Sequence, residues 1–476
     1  MRSLNLRICG LGAGLVLSLL QFGGCPQVTP DPIDDSSAGR ANDPIPTNLT
    51  GRPTQTPSPD PGTPPSPTTA DAGADQAVED GDTVTLTGSG AAGTAEVTFL
   101  WKQTGGPEVT LTSADAASAT FVAPGVSAVL DFSLTVTSAA GVAVDTTRVT
   151  VAAAPLLFVT NFAGNSIVNF RKPLAARGDT RPRATIAGAG TQLAGPTSLV
   201  FDNSGGLIVA NTATSQLAVF SNAVDRAGDT LPDRAIVNPE ALLRSPEGLA
   251  YDSADDLLMV ANFDGIPGAV NVYADASQAI FSGRVAPTRR ILSVDLRNPR
   301  AARLAADGSL YVADPGGQQV SVFENAAELD SRPPATRGTG TRGSSRRGRA
   351  PRGGLTPAMR VLHSTAFVGI ADLWIDAQDR LLTVNSTGGL VFVFAGASAL
   401  NGDVTPTATI TVQGAQELRG IALDAAGVGY LSDFSANAIY SVRDIAERNG
   451  TIAADGFVQG PSSELNGPWH LEVLQR

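Results

Sequence analysis

The side chains best able to bind or transform a ligand recur at two consecutive positions of a sequence repeat in the C-terminal two thirds of the chain. Across six repeats the first position reads Thr, Glu, Arg, Ala, Arg, Trp and the second reads Ser, Gly, Ala, Asp, Gly, His. The chemically active members of this set are Glu247, Arg300, Asp372, Arg419, Trp469 and His470. Because Arg can bind a carboxylate or phosphate through two parallel hydrogen bonds, the set could hold an acidic or zwitterionic ligand. The alternative is a solvated opening in which acids and arginines pair with each other.

Motifs for catalysis or metal binding are sparse. With 2 Cys and 2 His, the chain can form neither a Cys-rich zinc site nor a three-His site. Glu247 and Asp372 have no third ligand beside them, and His470 has no evident partner for general acid–base catalysis. No nucleophile elbow, P-loop or His-Glu-x-x-His motif occurs. We therefore assign no catalytic residue, no metal and no cofactor, and we expect a non-enzymatic role.

A second recurring set could be mistaken for a ring of metal ligands. It consists of Asn161, Asn211, Asn262, Asp314, Asn385 and Asp433, separated by 50, 51, 52, 71 and 48 residues. A short polar side chain at the end of a strand commonly caps the turn that follows. One residue type repeated in every unit therefore predicts a structural role.

The elements that must position both sets are short β-strands. Each recurring Asn or Asp ends an apolar run, as in Leu310–Asp314, and a second apolar run follows after a turn. A strand before this pair and a shorter run after a Pro complete four strands per repeat, which is typical of a propeller blade. The count predicts a six-bladed β-propeller over residues 153–476. The first repeat lacks its inner strand, and Gly467–Val473 aligns with the missing piece, so the C-terminus should pair beside Leu156–Asn161 and close the ring.

The repeats resemble NHL-repeat propellers, most clearly at Pro246–Asp252 and Leu310–Asp314. The resemblance covers residues 155–476 and implies a fold more than a function, because one fold hosts many activities. Six-bladed relatives include lactonases with a divalent metal held by Glu, Asn and Asp, and lyases that use His. A lactonase-like hydrolase or lyase with a divalent metal at the central channel is therefore the alternative to a binding module.

Residues 70–152 have a different character, with short alternating strands such as Leu130–Thr137 between Gly-, Ser- and Asp-rich turns. This pattern predicts a small antiparallel β-sandwich. The segments Ala72–Asp75, Trp101–Pro107 and Thr120–Pro124 resemble the polycystic-kidney-disease-type, immunoglobulin-like domains of bacterial surface proteins. The resemblance implies a spacer or weak adhesion module, and Trp101 is expected to fill its core.

The N-terminus carries an export signal. Arg2 and Arg7 precede an apolar stretch over residues 8–20, and Phe22-Gly23-Gly24-Cys25 resembles the lipobox of bacterial lipoproteins. Residues 1–25 are thus predicted to be a signal peptide ending at Cys25, the lipid attachment site; ordinary signal cleavage nearby is the alternative. Residues 26–69 contain 12 Pro in 44 residues and are predicted to be a disordered tether.

The interval of 71 residues reflects an Arg- and Gly-rich insertion at residues 331–354, predicted to be a disordered loop. It contains no acid, and its candidate contacts to an anionic partner are Arg337, Arg342, Arg346, Arg347, Arg349 and Arg352. It has no aromatic residue for base stacking, and the whole chain has a net charge of −12, so specific nucleic-acid binding is not expected.

Together these features predict an exported, lipid-anchored, monomeric cell-envelope protein at the outer membrane, in the periplasm or on the cell surface. Its membrane contact would be the acylated Cys25, and its propeller would bind a protein, a glycan or a small acidic ligand. A third hypothesis is a structural envelope scaffold.

Overall fold

The structure is a computed structural model that describes residues 66–237, 239–265, 267–330 and 355–475. The predicted signal peptide with Cys25, the tether as far as residue 65 and the insertion at 331–354 lie outside these residues. The described chain is all-β, with strands in nine sheets. Within it, no helix is long and apolar enough to cross a membrane. The short 3-10 turns are Pro173–Ala175, Ala189–Thr191, Pro239–Ala241, Thr365–Phe367, Ala397–Ala399, Ile445–Glu447 and Pro461–Ser463.

The N-terminal described domain is a β-sandwich. Its strands are Thr69–Asp71, Gln76–Glu79, Thr83–Thr87, Ser89–Ala91, Thr98–Gly105, Ser118–Val122, Ala128–Ser138 and Gly141–Ala152. Side chains along Ala128–Ser138 alternate between buried and partly exposed, as expected for a strand with one face on a core. Trp101 is only 2% exposed and packs with Phe121 and Phe132, which confirms its predicted place in the core.

The remaining described residues form six sheets, numbered here in chain order with each sheet's strands given from the inside outwards. Sheet 1 contains Pro468–Leu474, Leu156–Asn161, Ser166–Arg171 and Ala184–Ala187. Sheet 2 contains Pro196–Phe201, Leu207–Asn211, Gln216–Phe220 and Arg234–Ile236. Sheet 3 contains Pro246–Asp252, Leu257–Asn262, Gly268–Ala274 and Arg289–Ser293.

Sheets 4 to 6 have the same antiparallel order, with one short parallel strand added at the outer edge of each. Sheet 4 contains Ala301–Leu304, Leu310–Asp314, Gln319–Phe323, Arg360–His363 and the added Gly402–Asp403. Sheet 5 contains Ile370–Ile375, Arg380–Asn385, Leu390–Ala395, Ala408–Val412 and the added Gly450–Ile452. Sheet 6 contains Leu418–Leu423, Gly429–Asp433, Ala438–Val442, Gly456–Gln459 and the added Arg177–Gly178.

The six sheets contact one another in a circle. Each inner strand contacts the inner strands of the two neighbouring sheets, and the inner strand of sheet 6 contacts that of sheet 1. A separate core of buried apolar side chains fills each of the six junctions, including the junction between sheets 6 and 1. Sheet 1 combines both ends of this part of the chain, because Leu471 pairs with Val159 and Leu474 with Leu156. The predicted pairing of the C-terminus is therefore confirmed.

Loops at the rim also link neighbouring sheets. The loop between the third and fourth strands reaches back to the outer strand of the preceding sheet, as where Gly402 pairs with Leu362. The residues directly before the outer strand of sheet 4 also contact sheet 3, because Thr356 N donates to Leu292 O at 2.7 Å.

Candidate functional site

The inner strands of all six sheets begin at one end of the ring, and their first residues converge on a small cavity. Of the twelve residues at the two recurring positions, all but Gly420 line it, together with Ala302. Five of the inner strands shift register at this point, as between Pro246 and Gly248, so that an extra residue is inserted. Successive side chains of a regular strand point to opposite faces, and the bulges allow two consecutive residues to reach the channel. The cavity volume is about 10 Å³, the space of about one water molecule.

The two arginines at this end of the channel are each paired with a carboxylate. Arg300 Nε donates to Glu247 Oε2 at 2.9 Å. Arg419 Nη2 donates to Glu417 Oε1, and Glu417 also accepts from Ser435. Burial raises the pKa of Glu247 above its ordinary value, and the nearby Arg300 and Arg419 partly offset that effect. The pairing favours the predicted alternative of a charge-balanced opening, since an acidic ligand would compete with both glutamates for the arginines.

Aromatic rings surround these arginines. The guanidinium carbon of Arg419 lies 4.5 Å from the ring centroid of Trp469 and 5.6 Å from that of Phe434. Arg300 lies 5.3 Å from the ring of Phe263 and 5.9 Å from that of Trp469. Phe162 packs against Trp469 at a centroid distance of 4.8 Å, and Phe434 meets Trp469 edge-on at 5.6 Å. All four rings are partly exposed. We call Phe162, Phe263, Phe434, Trp469, Arg300, Arg419, Glu247 and Glu417 the aromatic mouth.

Sequence reasoning found Trp469 and both arginines but missed the three phenylalanines and Glu417. Phe162, Phe263 and Phe434 each follow directly after a recurring Asn or Asp. The same position holds Thr212, Pro315 and Ser386 in the other repeats. The residue at that position therefore differs between repeats, as do the first residues of the inner strands. A comparison of this position across the repeats could have identified the three phenylalanines.

Deeper in the channel, Asp372 and His470 are buried side by side. Asp372 Oδ2 lies 3.9 Å from His470 Nε2, and the two side chains are 5% and 9% exposed. Burial raises the pKa of Asp372 to about 6, although Arg303 and the backbone N–H groups of Ile421 and Leu373 favour its charged form. Burial and, to a lesser extent, the nearby charge of Arg303 lower the pKa of His470 to about 3. His470 is thus a neutral, enclosed side chain over the physiological range.

The other end of the channel contains an ion pair that the repeat comparison also missed. Arg303 Nη1 lies 3.0 Å from Glu472 Oε2, and both side chains are largely buried. The guanidinium of Arg303 stacks over Trp374 at 4.1 Å from the ring centroid. Burial raises the pKa of Glu472, while Arg303 opposes the rise. Arg303 stands three residues beyond Arg300, whereas the repeat comparison stopped at the first two positions of each inner strand.

The recurring Asn and Asp residues are structural, as predicted. Most of their hydrogen bonds, however, are made with the segment before the inner strand and not with the turn that follows them. Asp433 accepts from the backbone N–H groups of Gln416 and Glu417 at 2.6 and 3.2 Å, as well as from Ala436 in the following turn. Asn262 accepts from Arg244 N at 2.7 Å. Asn161, Asn211 and Asp314 accept in the same way from backbone N–H groups of the segment before the inner strand. Asn385 contacts that segment in the opposite sense, because its Nδ2 donates to Val368 O at 2.8 Å. They hold the start of each inner strand in place, and with it the side chains of the channel.

The donors present do not fit a divalent metal at the channel. Glu247 is engaged by Arg300, and Asp372 accepts backbone N–H groups from Leu373 and Ile421 at 2.8 and 3.1 Å. Among the described residues, no group of three His, Cys, Asp or Glu side chains is arranged to hold a metal ion. His363 lies at the end of an outer strand and is exposed, whereas the loop arginines at 337–352 lie outside the described residues.

Comparison with known families identifies the sandwich. Residues 72–151 match a family model described as a PKD domain. The predicted polycystic-kidney-disease-type domain is therefore confirmed over those residues. No curated protein sequence matches the chain.

Solved structures similar to this chain include propeller-like proteins. A nidogen/laminin complex matches at 13% identity and a TM-score of 0.43, covering 68% of this chain and 99% of the other. A protein of unknown function from Bacteroides caccae matches at 8% identity and a TM-score of 0.44, covering 68% and 100%. Virginiamycin B lyase from Staphylococcus aureus matches at 9% identity and a TM-score of 0.37, covering 71% and 96%.

Proposed function

We propose that the six sheets are the blades of a closed six-bladed propeller and that this propeller is the binding module of an envelope protein. The observation that carries the proposal is the aromatic mouth, where rings from sheets 1, 3 and 6 meet two charge-balanced arginines at one end of the channel. Aromatic and Arg side chains are enriched at the energetic centres of binding surfaces. Partly exposed rings in this number therefore favour recognition of a partner.

Variation between the sheets supports the same proposal. The Asn or Asp that anchors each inner strand is kept in all six sheets, whereas the residue after it is aromatic in only three. If this end of the ring had only a structural role, the recurring Asn or Asp would be sufficient. The aromatic side chains add a surface that differs around the ring, which is what an asymmetric partner requires.

Export and membrane attachment belong to the proposal as well. They rest on the signal-like residues 1–24, on Cys25 as the acylated residue, and on the Pro-rich segment that follows. At ~3.1 Å per residue, the 40 residues of the predicted tether that precede the described chain would reach up to ~120 Å from the membrane. The sandwich would then be a spacer that carries the propeller.

The sandwich directly contacts sheet 1, as a spacer that carries the propeller would. Only residues 153–155 separate its last strand from the first strand of sheet 1. Asp80 of the sandwich accepts from Ala154 N at 2.8 Å and from Arg171 Nε at 3.3 Å. Lys172, directly after the sheet 1 strand Ser166–Arg171, lies 2.9 Å from Asp82. These contacts join the sandwich to sheet 1.

The alternatives have less support. A metal-dependent hydrolase or lyase would need free acids at the channel, yet Glu247 and Asp372 are already engaged. A pure scaffold would not need partly exposed rings around an arginine pair.

The test is a cross-linking capture from envelope extract with the full chain and two variants. Trp469→Ala removes the ring that contacts both arginines, and Trp374→Ala removes a matched ring at the other end of the channel. We expect a captured partner that is lost with Trp469→Ala and kept with Trp374→Ala. Equal capture by both folded variants would refute a binding role for the aromatic mouth.

A further inference from the structure

The aromatic mouth also indicates what kind of partner it takes, and this inference rests on the function proposed above. We infer that the mouth binds a neutral saccharide, whose ring faces pack on the partly exposed aromatic side chains while its hydroxyl groups bridge the Arg–Glu pairs.

The charges at the aromatic mouth are balanced. Each of Arg300 and Arg419 has a glutamate partner, so the mouth has no net charge from these four groups. An anionic ligand would be repelled by Glu247 and Glu417, and a cationic ligand would be repelled by the two arginines. A ligand that carries no charge but both donates and accepts hydrogen bonds avoids both costs.

The two arginines of the mouth have hydrogen-bond donors that the described part of the protein does not use. A guanidinium carries five N–H donors. The hydrogen bonds found for Arg300 and Arg419 within the described chain use one donor from each. The carboxylates beside them supply acceptors at the same place. Paired donors and acceptors a few ångströms apart match the neighbouring hydroxyl groups of a sugar.

The mouth is shallow. The cavity behind it, at about 10 Å³, cannot take an amino-acid side chain. Protein partners usually bury about 800 Å² on each side and insert large anchors into pockets. A pyranose has an apolar face of C–H groups and a rim of hydroxyls, so it needs an aromatic surface and polar neighbours rather than a deep pocket. The four rings and two ion pairs provide that combination, which favours a saccharide over a peptide.

The experiment uses the full chain on immobilised neutral oligosaccharides (cello-, xylo- and mannohexaose) and an acidic one (hexagalacturonate). Any sugar that is retained is then titrated by calorimetry against wild type and variants. We expect a neutral hexaose to bind, with affinity reduced by about tenfold or more in Trp469→Ala and Phe434→Ala. Trp469→Phe should retain most of the affinity, because an aromatic ring remains. Trp374→Ala, at the other end of the channel, should bind like wild type.

Circular dichroism of each variant shows whether it is folded, and Trp469→Phe keeps the test valid if the alanine variant is not. Retention of only the acidic oligosaccharide, of none, or equal binding by Trp469→Ala and Trp374→Ala would overturn the inference. Failure of the inference can be told from failure of the proposed function. A partner captured from envelope extract through Trp469, and unaffected by periodate oxidation of its sugars, would retain the binding module and eliminate the saccharide.

Discussion

Replacing His470 by Gln gives a sharp test of the buried channel, because His470 and its neighbour Asp372 respond to acid in opposite senses. Burial lowers the pKa of His470 from 6.5 to about 3. Below about pH 6.5 the unfolded chain therefore takes up a proton that the folded chain does not, and stability falls with pH. Burial raises the pKa of Asp372 from 3.8 to about 6. As the pH falls below about 6, Asp372 is protonated in the folded chain before it is protonated in the unfolded chain. The free energy of unfolding therefore increases until the carboxylate of the unfolded chain is also protonated.

The same pKa values give the size of each change in folding free energy. One pH unit between the folded and unfolded pKa values corresponds to about 1.4 kcal/mol. At about pH 5, protonation of the unfolded chain at His470 costs about 2 kcal/mol of folding free energy. Protonation of the folded chain at Asp372 returns about 1.4 kcal/mol at that pH. The two contributions nearly cancel in the wild type, so only variants reveal them.

The assay is urea unfolding of wild type, His470→Gln and Asp372→Asn at about pH 7.5 and about pH 5, with each variant compared with wild type at the same pH. On acidification, His470→Gln should gain about 2 kcal/mol relative to wild type. Asp372→Asn should lose about 1.4 kcal/mol relative to wild type. Groups elsewhere in the chain cancel in these differences. If both variants follow the wild-type pH profile in parallel, the buried arrangement of the channel is wrong.

Three further predictions concern the framework. Deleting the chain from residue 467 should open sheet 1 and abolish cooperative unfolding, because Pro468–Leu474 is its inner strand; an unchanged melting temperature would contradict closure of the ring. Asp433→Ala should cost about 3 kcal/mol in urea unfolding, since three partly buried N–H groups lose their side-chain acceptor, whereas Asp433→Asn, the residue found in four other repeats, should cost less. Arg171→Ala should lower the cooperativity between sandwich and sheets in calorimetry, because it removes a partner of buried Asp80; the control Arg148→Ala, which breaks an exposed pair within the sandwich, should leave the melting temperature unchanged.

The periodic part of the architecture could be predicted from the sequence because each repeat faces the same physical requirements. The Asn or Asp at the end of the second strand recurs because every inner strand needs the same anchor, as Asp433 shows for Gln416 and Glu417. The C-terminal strand was found in the same way, since its Gly-Pro start matches that of the second repeat. Aligning the repeats also brought together the residues that line the cavity.

What could not be predicted lies where the repeats differ. The position of Glu417 in its repeat does not indicate a contact with Arg419, because that contact depends on the bulge between Leu418 and Gly420. Nor does a Phe after Asn161 or Asn262 stand out in a chain with 17 Phe. Pairing between different sheets, as for Arg303 and Glu472, depends on how the ring closes and has no local sequence signal.

The central claim is that the aromatic mouth is the surface that recognises a partner. Site-specific photo-crosslinking in the living cell tests it most directly, with a photoreactive phenylalanine analogue placed at Phe263 or Phe434 and, as the control, at Trp374. We predict a cross-linked product from both mouth positions and none from the control position. Cross-linking from Trp374 alone, or from none of the three positions in a folded and exported chain, would contradict the claim.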